Sequence, residues 1–553
     1  MRRLVAGGLL ATVALAVASP GSAARIQGTQ GPDRLVGTAG DDAVYGRGGS
    51  DRLLGRGGHD LLHGGPGRDR IVGETGNDRV VAQYDGAADT VVCGPGRDSV
   101  TADAADAVAA DCELVSTQLS RDTLRAERAQ HETQVEPDSF AFGNTVVVGF
   151  QAGRFEDGGA SGIGWATSQD GGRTWRSGFL PSITPYTSPA GPYDAASDPV
   201  VAYDASTRTW LLASLGVSEN QTALLVSRSR DGLSWSAPVV AAASALEDYD
   251  KEWLVCDNWA SSRFRGRCYL SYLDFESGQI RTRHSNDGGA TWSGPTGVPG
   301  RTDSSVANGV QPVVRPDGSL VLVFAAFAAF ARFDDPEASE LVAVVSPDGG
   351  VRFSPRVRIS GLEEEVVIGV RAPALPSVEI DGGGTIYVAW HDCRFRPGCL
   401  LNDIVVARSV DGFRWSTPAR VPTVAAERET HVFVPGLGVD PTTSGRQTRL
   451  AIVYHVKPQD CGFERCPGIH VELVRSADAG ATWSRPDRLS AEPVPIEWLA
   501  DTGLGRMTGD YISTSWVGGR PVPVFSLATE PVGGAFRQAI FATTRLAPAV
   551  RGA

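Results

Sequence analysis

The sequence predicts an all-β protein in two parts, a short parallel β-roll followed by a larger domain of repeated β-units. Three observations carry this. Asp33, Asp42, Asp51, Asp60, Asp69 and Asp78 recur every nine residues in the frame G-x-x-G-x-D-x-U-x, where U is aliphatic. After residue 112 a second period of about 60 residues takes over, marked by S-x-D-x-G-x-T-W. Between those marks run alternating segments rich in β-branched and aromatic residues, such as Thr145–Gln151, Thr385–Trp390 and Leu450–His455.

The nine-residue frame has a physical reading. Glycine turns the chain tightly where φ is positive, and the aspartate then offers a hard oxygen to a hard cation such as Ca2+. The aliphatic residues Leu35, Val44, Leu53, Leu62, Ile71 and Val80 point inward and stack on their counterparts one turn later. Residues 28–81 resemble the RTX (hemolysin-type) calcium-binding repeats. The resemblance implies calcium held between turns by Asp33, Asp42, Asp51, Asp60, Asp69 and Asp78 together with carbonyls of the Gly-rich turns. The second turn position is glycine only at Gly65, being Thr29, Thr38, Arg47, Arg56 and Glu74 elsewhere. Asp89, Asp98 and Asp106 continue a degraded copy of the repeat.

Ahead of the roll, Arg2 and Arg3 precede an apolar run from Leu4 to about Val17 and a small-residue stretch ending near Ala24. That pattern reads as a secretory signal over residues 1–24, and the run is too short to span a bilayer. The eight cysteines fit an exported protein, and pairing of sequence neighbours is the simplest of the 105 connectivities. It joins Cys93 to Cys112, Cys256 to Cys268, Cys393 to Cys399 and Cys461 to Cys466, the first bridge closing a roll of residues 25–112. A net charge of −13 argues against a nucleic-acid partner and suits an extracellular, calcium-loaded protein.

Six copies of the second motif are present. Those at Ser168–Trp175, Ser285–Trp292 and Ser476–Trp483 are full, Ser346–Phe353 is weaker, and Ser229–Trp235 and Ser409–Trp415 are one residue shorter. These are Asp-boxes, and residues 113–548 resemble the sialidase-type β-propeller superfamily. In that family the box is a structural turn whose aspartate bonds the turn backbone and whose tryptophan wedges into the core. Seven polar segments precede the innermost strands, so seven blades are expected, with six as the alternative. The last blade, from Gly509 to about Leu546, would take its fourth strand from Val115–Leu119.

The segments leading into the innermost strands of such a fold converge on one mouth. They bring Glu132, Asp198, Asp250, Lys251, Glu252, Gln311, Arg371, His431, Asp510 and Tyr511 into one candidate site. The resemblance implies roles: Tyr511 as nucleophile, Glu252 as its base, Asp198 or Asp250 as the acid, and Arg371 with Lys251 as a carboxylate clamp. Glu132, Lys251, Gln311, His431 and Asp510 would contact substrate. The F/Y-R-I-P element that supplies the family's first clamp arginine is absent, with His131-Glu132-Thr133 in its place. Two functions stay open: a secreted sialidase-like glycoside hydrolase, or a non-catalytic propeller binding glycans or proteins, at a cell surface or free.

Overall fold

The computed structural model describes residues 23–245, 248–299, 305–328, 339–424, 429–459 and 468–549. All but two residues of the expected signal segment, and the expected Cys461–Cys466 pair, lie outside them. The chain divides into two compact units, one reaching Ser116 and including Arg545–Ala547, the other running from Thr117 to Thr544.

The first unit is a solenoid in which one coil consumes two nonapeptides. Strands Arg25–Gln27, Ala43–Tyr45 and Leu61–His63 pair in parallel, in register 18 residues apart, and Arg79–Ala82 and Ser99–Ala102 extend that sheet. Arg34–Val36, Arg52–Gly57, Arg70–Thr75, Thr90–Val92 and Ala107–Val108 form the opposing sheet. Later coils are two residues longer, since Arg79 pairs with Ser99 and Arg70 with Thr90. The register stacks Val44, Leu62, Val80 and Val100 in one column and Leu35, Leu53, Ile71 and Val91 in the other, all buried. Burying such aliphatic columns is the unit's main source of stability. The Cys93–Cys112 disulfide ties the last coils.

The second unit is built from consecutive antiparallel meanders of four strands. The first comprises Gln130–Phe142, Thr145–Arg154, Ala160–Ser168 and Arg176–Phe179. Others begin at Ala195, Tyr249, Ser305, Ser377 and Thr430, and three strands from Ser513 to Arg545 are joined, as expected, by the segment ending at Leu119, whose amide donates to the Ile540 carbonyl at 2.8 Å. Each Asp-box is a turn between the third and fourth strands. In the box at Ser285, Asp287 Oδ1 accepts from the amides of Ala290 (3.0 Å) and Thr291 (2.9 Å), while Oδ2 accepts from the Thr291 hydroxyl (2.6 Å). Disulfides Cys256–Cys268 and Cys393–Cys399 form between sequence neighbours.

The strand pairing corrects the expected propeller of seven, or six, discrete blades. The meanders do not stand apart. Ala160 of the first pairs with Ala196 of the second, and Thr133 pairs in parallel with Gln538 of the last set. Strands assigned to three blades therefore share one sheet. The described residues show an all-β protein with a β-solenoid of stacked coils, and not a closed propeller. The reason is local: an Asp-box specifies one turn within a meander and carries no information about how successive sheets join.

Candidate functional site

The site begins with a repeated irregularity in the first strand of the meanders. A β-bulge shifts the register at Glu136, Asp198, Lys251, Gly309 and Val434, and each of these residues has a left-handed backbone, φ between 47° and 64°. For the four that are not glycine this conformation costs about 1–3 kcal/mol each, a strain that surrounding contacts must hold. A bulge re-aims the side chain that carries it. Here it brings charged groups from three meanders together.

At their centre is Lys251. Its Nζ lies 2.9 Å from Asp510 Oδ2 and 3.2 Å from both Glu136 Oε1 and Asp198 Oδ1, with all four side chains buried. Arg371 grips the same Asp510 with two hydrogen bonds, Nε to Oδ1 at 2.7 Å and a terminal nitrogen to Oδ2. On the far side, Gln151 donates to Glu136 and to Ser197, and buried Arg154 donates to Gln151 Oε1 at 2.9 Å. The Lys251 amide also donates to Asp198 Oδ2, and the Asp510 amide to Glu136 Oε1.

Five carboxylates, of Glu136, Asp198, Asp250, Glu252 and Asp510, thus face three cations in a region of low dielectric, and their protonation states separate. Burial alone would raise Asp510 and Asp198, but the Lys251 ammonium, joined at Asp510 by Arg371, holds both below the usual carboxylate range. Burial, reinforced by the Asp198 charge, pushes Asp250 up to about 8. Glu136 is raised to about 7 by burial, against the pull of Lys251. Glu252 is buried with neither carboxylate oxygen hydrogen-bonded, and burial lifts it well above its ordinary value. The surroundings thus favour the ionised form of Asp198 and the protonated form of Asp250.

Two spaces adjoin this cluster. A deep cavity of about 20 Å³, lined by Lys251, Glu252, Gln311 and Tyr511 among others, has room for a single water. A wider mouth of about 380 Å³ is bordered by Asp250, Lys251, Arg371 and Asp510, by Glu364 and Glu365, and by Val366 and Leu504.

Of the residues singled out in the sequence, Asp198, Asp250, Lys251, Arg371 and Asp510 come together. Glu252 and Tyr511 are buried beside them. The Tyr511 hydroxyl donates to the Pro199 carbonyl at 3.1 Å, its ring stands edge-on to Trp253, and burial raises its pKa well above 10. Gln311 accepts from the Val378 amide at 2.6 Å. Glu132 and His431 lie elsewhere. The Glu132 amide donates to Asp122, and the place expected for its side chain is taken by Glu136. His431 is buried near Lys457, His391 and Arg396, and burial lowers its pKa to about 4. Glu136, Gln151 and Arg154 escaped the sequence reading. The available signal was Glu136-Pro137, an acidic residue before proline as in Asp198-Pro199.

In the solenoid, the aspartates form a one-way ladder. The amides of Asp33, Asp42, Asp51 and Asp60 donate to Oδ1 of Asp51, Asp60, Asp69 and Asp78, one coil on, at 2.7–2.9 Å. The Asp69 and Asp78 amides continue to Asp89 and Asp98. The second oxygens divide the array. Oδ2 of Asp33 and Asp42 accepts from the Thr29 and Thr38 amides, whereas Oδ2 of Asp51, Asp60, Asp69, Asp78 and Asp98 is buried without a hydrogen-bond partner. Glycine keeps space there: a Cβ on Gly55 would sit 2.3 Å from Asp60 Oδ2 and 2.7 Å from the Gly73 carbonyl. Orphaned carboxylate oxygens converging with carbonyls are the donor set a hard cation takes. No group of three or more His, Cys, Asp or Glu side chains is gathered around one point among the described residues, so carbonyls must complete any such site.

Residues 27–62 and 54–82 match the RTX calcium-binding nonapeptide repeat (4 copies), and residues 141–367 match the BNR repeat-like domain. No curated protein matches the chain. Among solved structures, a Hadza microbial sialidase is 14% identical over 63% of this chain and 66% of its own, with a TM-score of 0.38. An ulvan lyase, representing a new polysaccharide lyase family, is 11% identical over 78% of this chain and 98% of its own, TM-score 0.43. An α-L-arabinofuranosidase from Fusarium graminearum is 14% identical over 64% of this chain and 93% of its own, TM-score 0.38.

Proposed function

We propose that this is a secreted, calcium-binding, glycan-directed protein whose mouth at Asp250 and Arg371 takes a neutral sugar and cleaves its glycosidic bond. The observation that carries this is the Asp198–Asp250 pair beside Lys251, with Asp198 Oδ1 3.2 Å from the ammonium and Asp250 on the mouth, where burial and the Asp198 charge raise its pKa. Two carboxyl groups whose environments drive their pKa values apart supply the acid that glycoside cleavage needs. Asp250 gives its proton to the leaving glycosidic oxygen, water adds its hydroxyl to the anomeric carbon and its remaining proton restores Asp250, and Asp198, tied to Lys251, keeps Asp250 protonated beforehand.

The sugar is neutral because the cations are already engaged. Arg371 is bidentate on Asp510 and Lys251 is surrounded by three carboxylates, so neither offers a free fork to a sugar carboxylate. This argues against a sialoside. Tyr511 has no role in this reading, since its hydroxyl is directed at Pro199. The solenoid supplies the calcium sites, with Asp51, Asp60, Asp69 and Asp78 as the fitting carboxylates. Calcium there would neutralise the stacked aspartates and fix the turns.

The test is turnover of fluorogenic neutral glycosides by the full chain with calcium present, beside a fluorogenic sialoside. Asp250→Asn should lower the rate on a neutral substrate about 10²–10⁴-fold while leaving glycan binding intact. The wild-type rate should fall as pH rises through about 8, where Asp250 loses its proton. An unchanged Asp250→Asn rate, or turnover of the sialoside alone, overturns the assignment. The engaged Tyr511 hydroxyl favours one second reading, a glycan-binding site without catalysis; it gives binding and no turnover in the same assay.

A further inference from the structure

We infer that the mouth takes glycoconjugates with an apolar aglycone, an alkyl or acyl chain lying on a lip formed by Val366, Ile368 and Leu504. The inference rests on the glycan reading of the mouth and names the substrate class within it. Leu504, Val366 and Ile368 are 76%, 71% and 69% exposed, the three most exposed large apolar side chains among the described residues. All three lie on the two segments that border the mouth, and Val366 and Leu504 line it directly. Isolated exposed apolar residues are ordinary; three of the most exposed gathered at one cavity are not.

The lip is held out by its backbone. Its two segments are joined by parallel pairing of Val370 with Arg506 and Arg371 with Met507, and the Arg506 amide donates to the Gly369 carbonyl at 3.0 Å. Buried Asn402 clamps Glu365 from both sides, accepting from its amide at 2.8 Å and donating to its carbonyl at 2.6 Å. The Thr502 hydroxyl accepts from the Leu504 amide and donates to the Gly505 carbonyl. Arg371 belongs both to this paired frame and to the polar floor, so floor and lip are fixed to one another. An amphiphile with its polar head at Asp250 and Arg371 would lay its tail across Val366 and Leu504.

Size selects this occupant. Three side chains exposed to this degree present roughly 300–400 Å² of apolar surface, about half of what one side of a stable protein interface buries. That area suits a single hydrocarbon chain.

The experiment compares matched methyl and octyl β-glycosides of glucose, galactose and mannose, below the micelle-forming concentration, by calorimetry on the calcium-loaded full chain. Each methylene laid on apolar surface tightens binding by up to about fourfold, so the octyl member of the bound pair should bind at least about tenfold more tightly. The triple variant Val366→Ser, Ile368→Ser, Leu504→Ser should lose the octyl preference and bind methyl and octyl members equally, with circular dichroism like the wild type. Equal affinity for methyl and octyl members in the wild type overturns the lip while the sugar site stands. Binding of neither member of any pair overturns the sugar site and the lip with it. Octyl binding that ignores the sugar and persists in the triple variant also overturns it.

Discussion

Lys251 Nζ stands 2.9 Å from Asp510 Oδ2, and both side chains are buried, 8% and 1% exposed. The ammonium is the common counter-charge for carboxylates contributed by three other strands or loops, so its removal strands all of them. Lys251→Met should destabilise the protein by about 3–5 kcal/mol in urea denaturation, the cost of leaving buried charges uncompensated. A loss below about 1 kcal/mol would mean that Glu136 and Asp198 are neutralised by some other means.

Calcium removal should act on the solenoid first. Chelation is expected to reduce the β-signal in circular dichroism and lower the thermal midpoint, with recovery on adding calcium back. Individual aspartates should differ. Asp60→Asn should weaken calcium binding more than Asp33→Asn, because the Asp33 Oδ2 already accepts from Thr29 whereas the Asp60 Oδ2 has no partner. Equal effects in a calorimetric titration would remove the basis for dividing the array.

Acid should unfold the second unit through its histidines. His455 is buried against Phe433 with neither ring nitrogen hydrogen-bonded, and burial, aided by His470, lowers its pKa to about 3. A group whose folded pKa lies below its unfolded value near 6.5 stabilises the fold above 6.5 and loses that contribution as pH falls toward 3. The denaturation free energy should decline across that window, by at most about 1.4 kcal/mol per pH unit for this residue. His455→Phe should flatten the slope; an unchanged slope would assign the acid sensitivity to other groups, His431 first.

The Asp-box turns should matter to stability alone. Asp287→Ala removes an acceptor for two amides and two hydroxyls and should cost about 1–2 kcal/mol, with glycan affinity per folded molecule unchanged.

The sequence carried its local chemistry well and its long-range joins poorly. A period of nine with an aliphatic at a fixed place is sufficient to stack Val44 on Leu62, because one coil is two repeats and nothing else fits inside. The Asp-box turns were equally plain, since each is closed by bonds within eight residues. The structure brings Asp198, Asp250 and Lys251 together from the polar opening turns of two first strands, and Asp510 from just ahead of another, which is the placement that the polar segments in the sequence suggest. Glu132 and His431 were misplaced for a physical reason: the bulges at Glu136 and Val434 shift the register, so counting from the start of the strand picks the wrong polar residue. The join of Val115–Leu119 to the last set was legible because that set is one strand short in the sequence, whereas the pairing of Thr133 with Gln538 left no trace, since backbone pairing asks nothing particular of the side chains.

The aspartate ladder gives the solenoid a direction of assembly. Each aspartate amide is satisfied by a carboxylate that arrives one coil later in the chain, and the final coils are tied by Cys93–Cys112. The two ends of the stack are thus unequal. Trimming the amino-terminal end leaves every remaining aspartate amide paired and frees only strand amides such as that of Arg52, which donates back to the Asp33 carbonyl, whereas a cut at the carboxy-terminal end orphans the aspartate amides of the coil before it. The carboxylate ladder is thus a zipper that closes one coil behind a chain emerging amino-terminus first, with the disulfide as its stop.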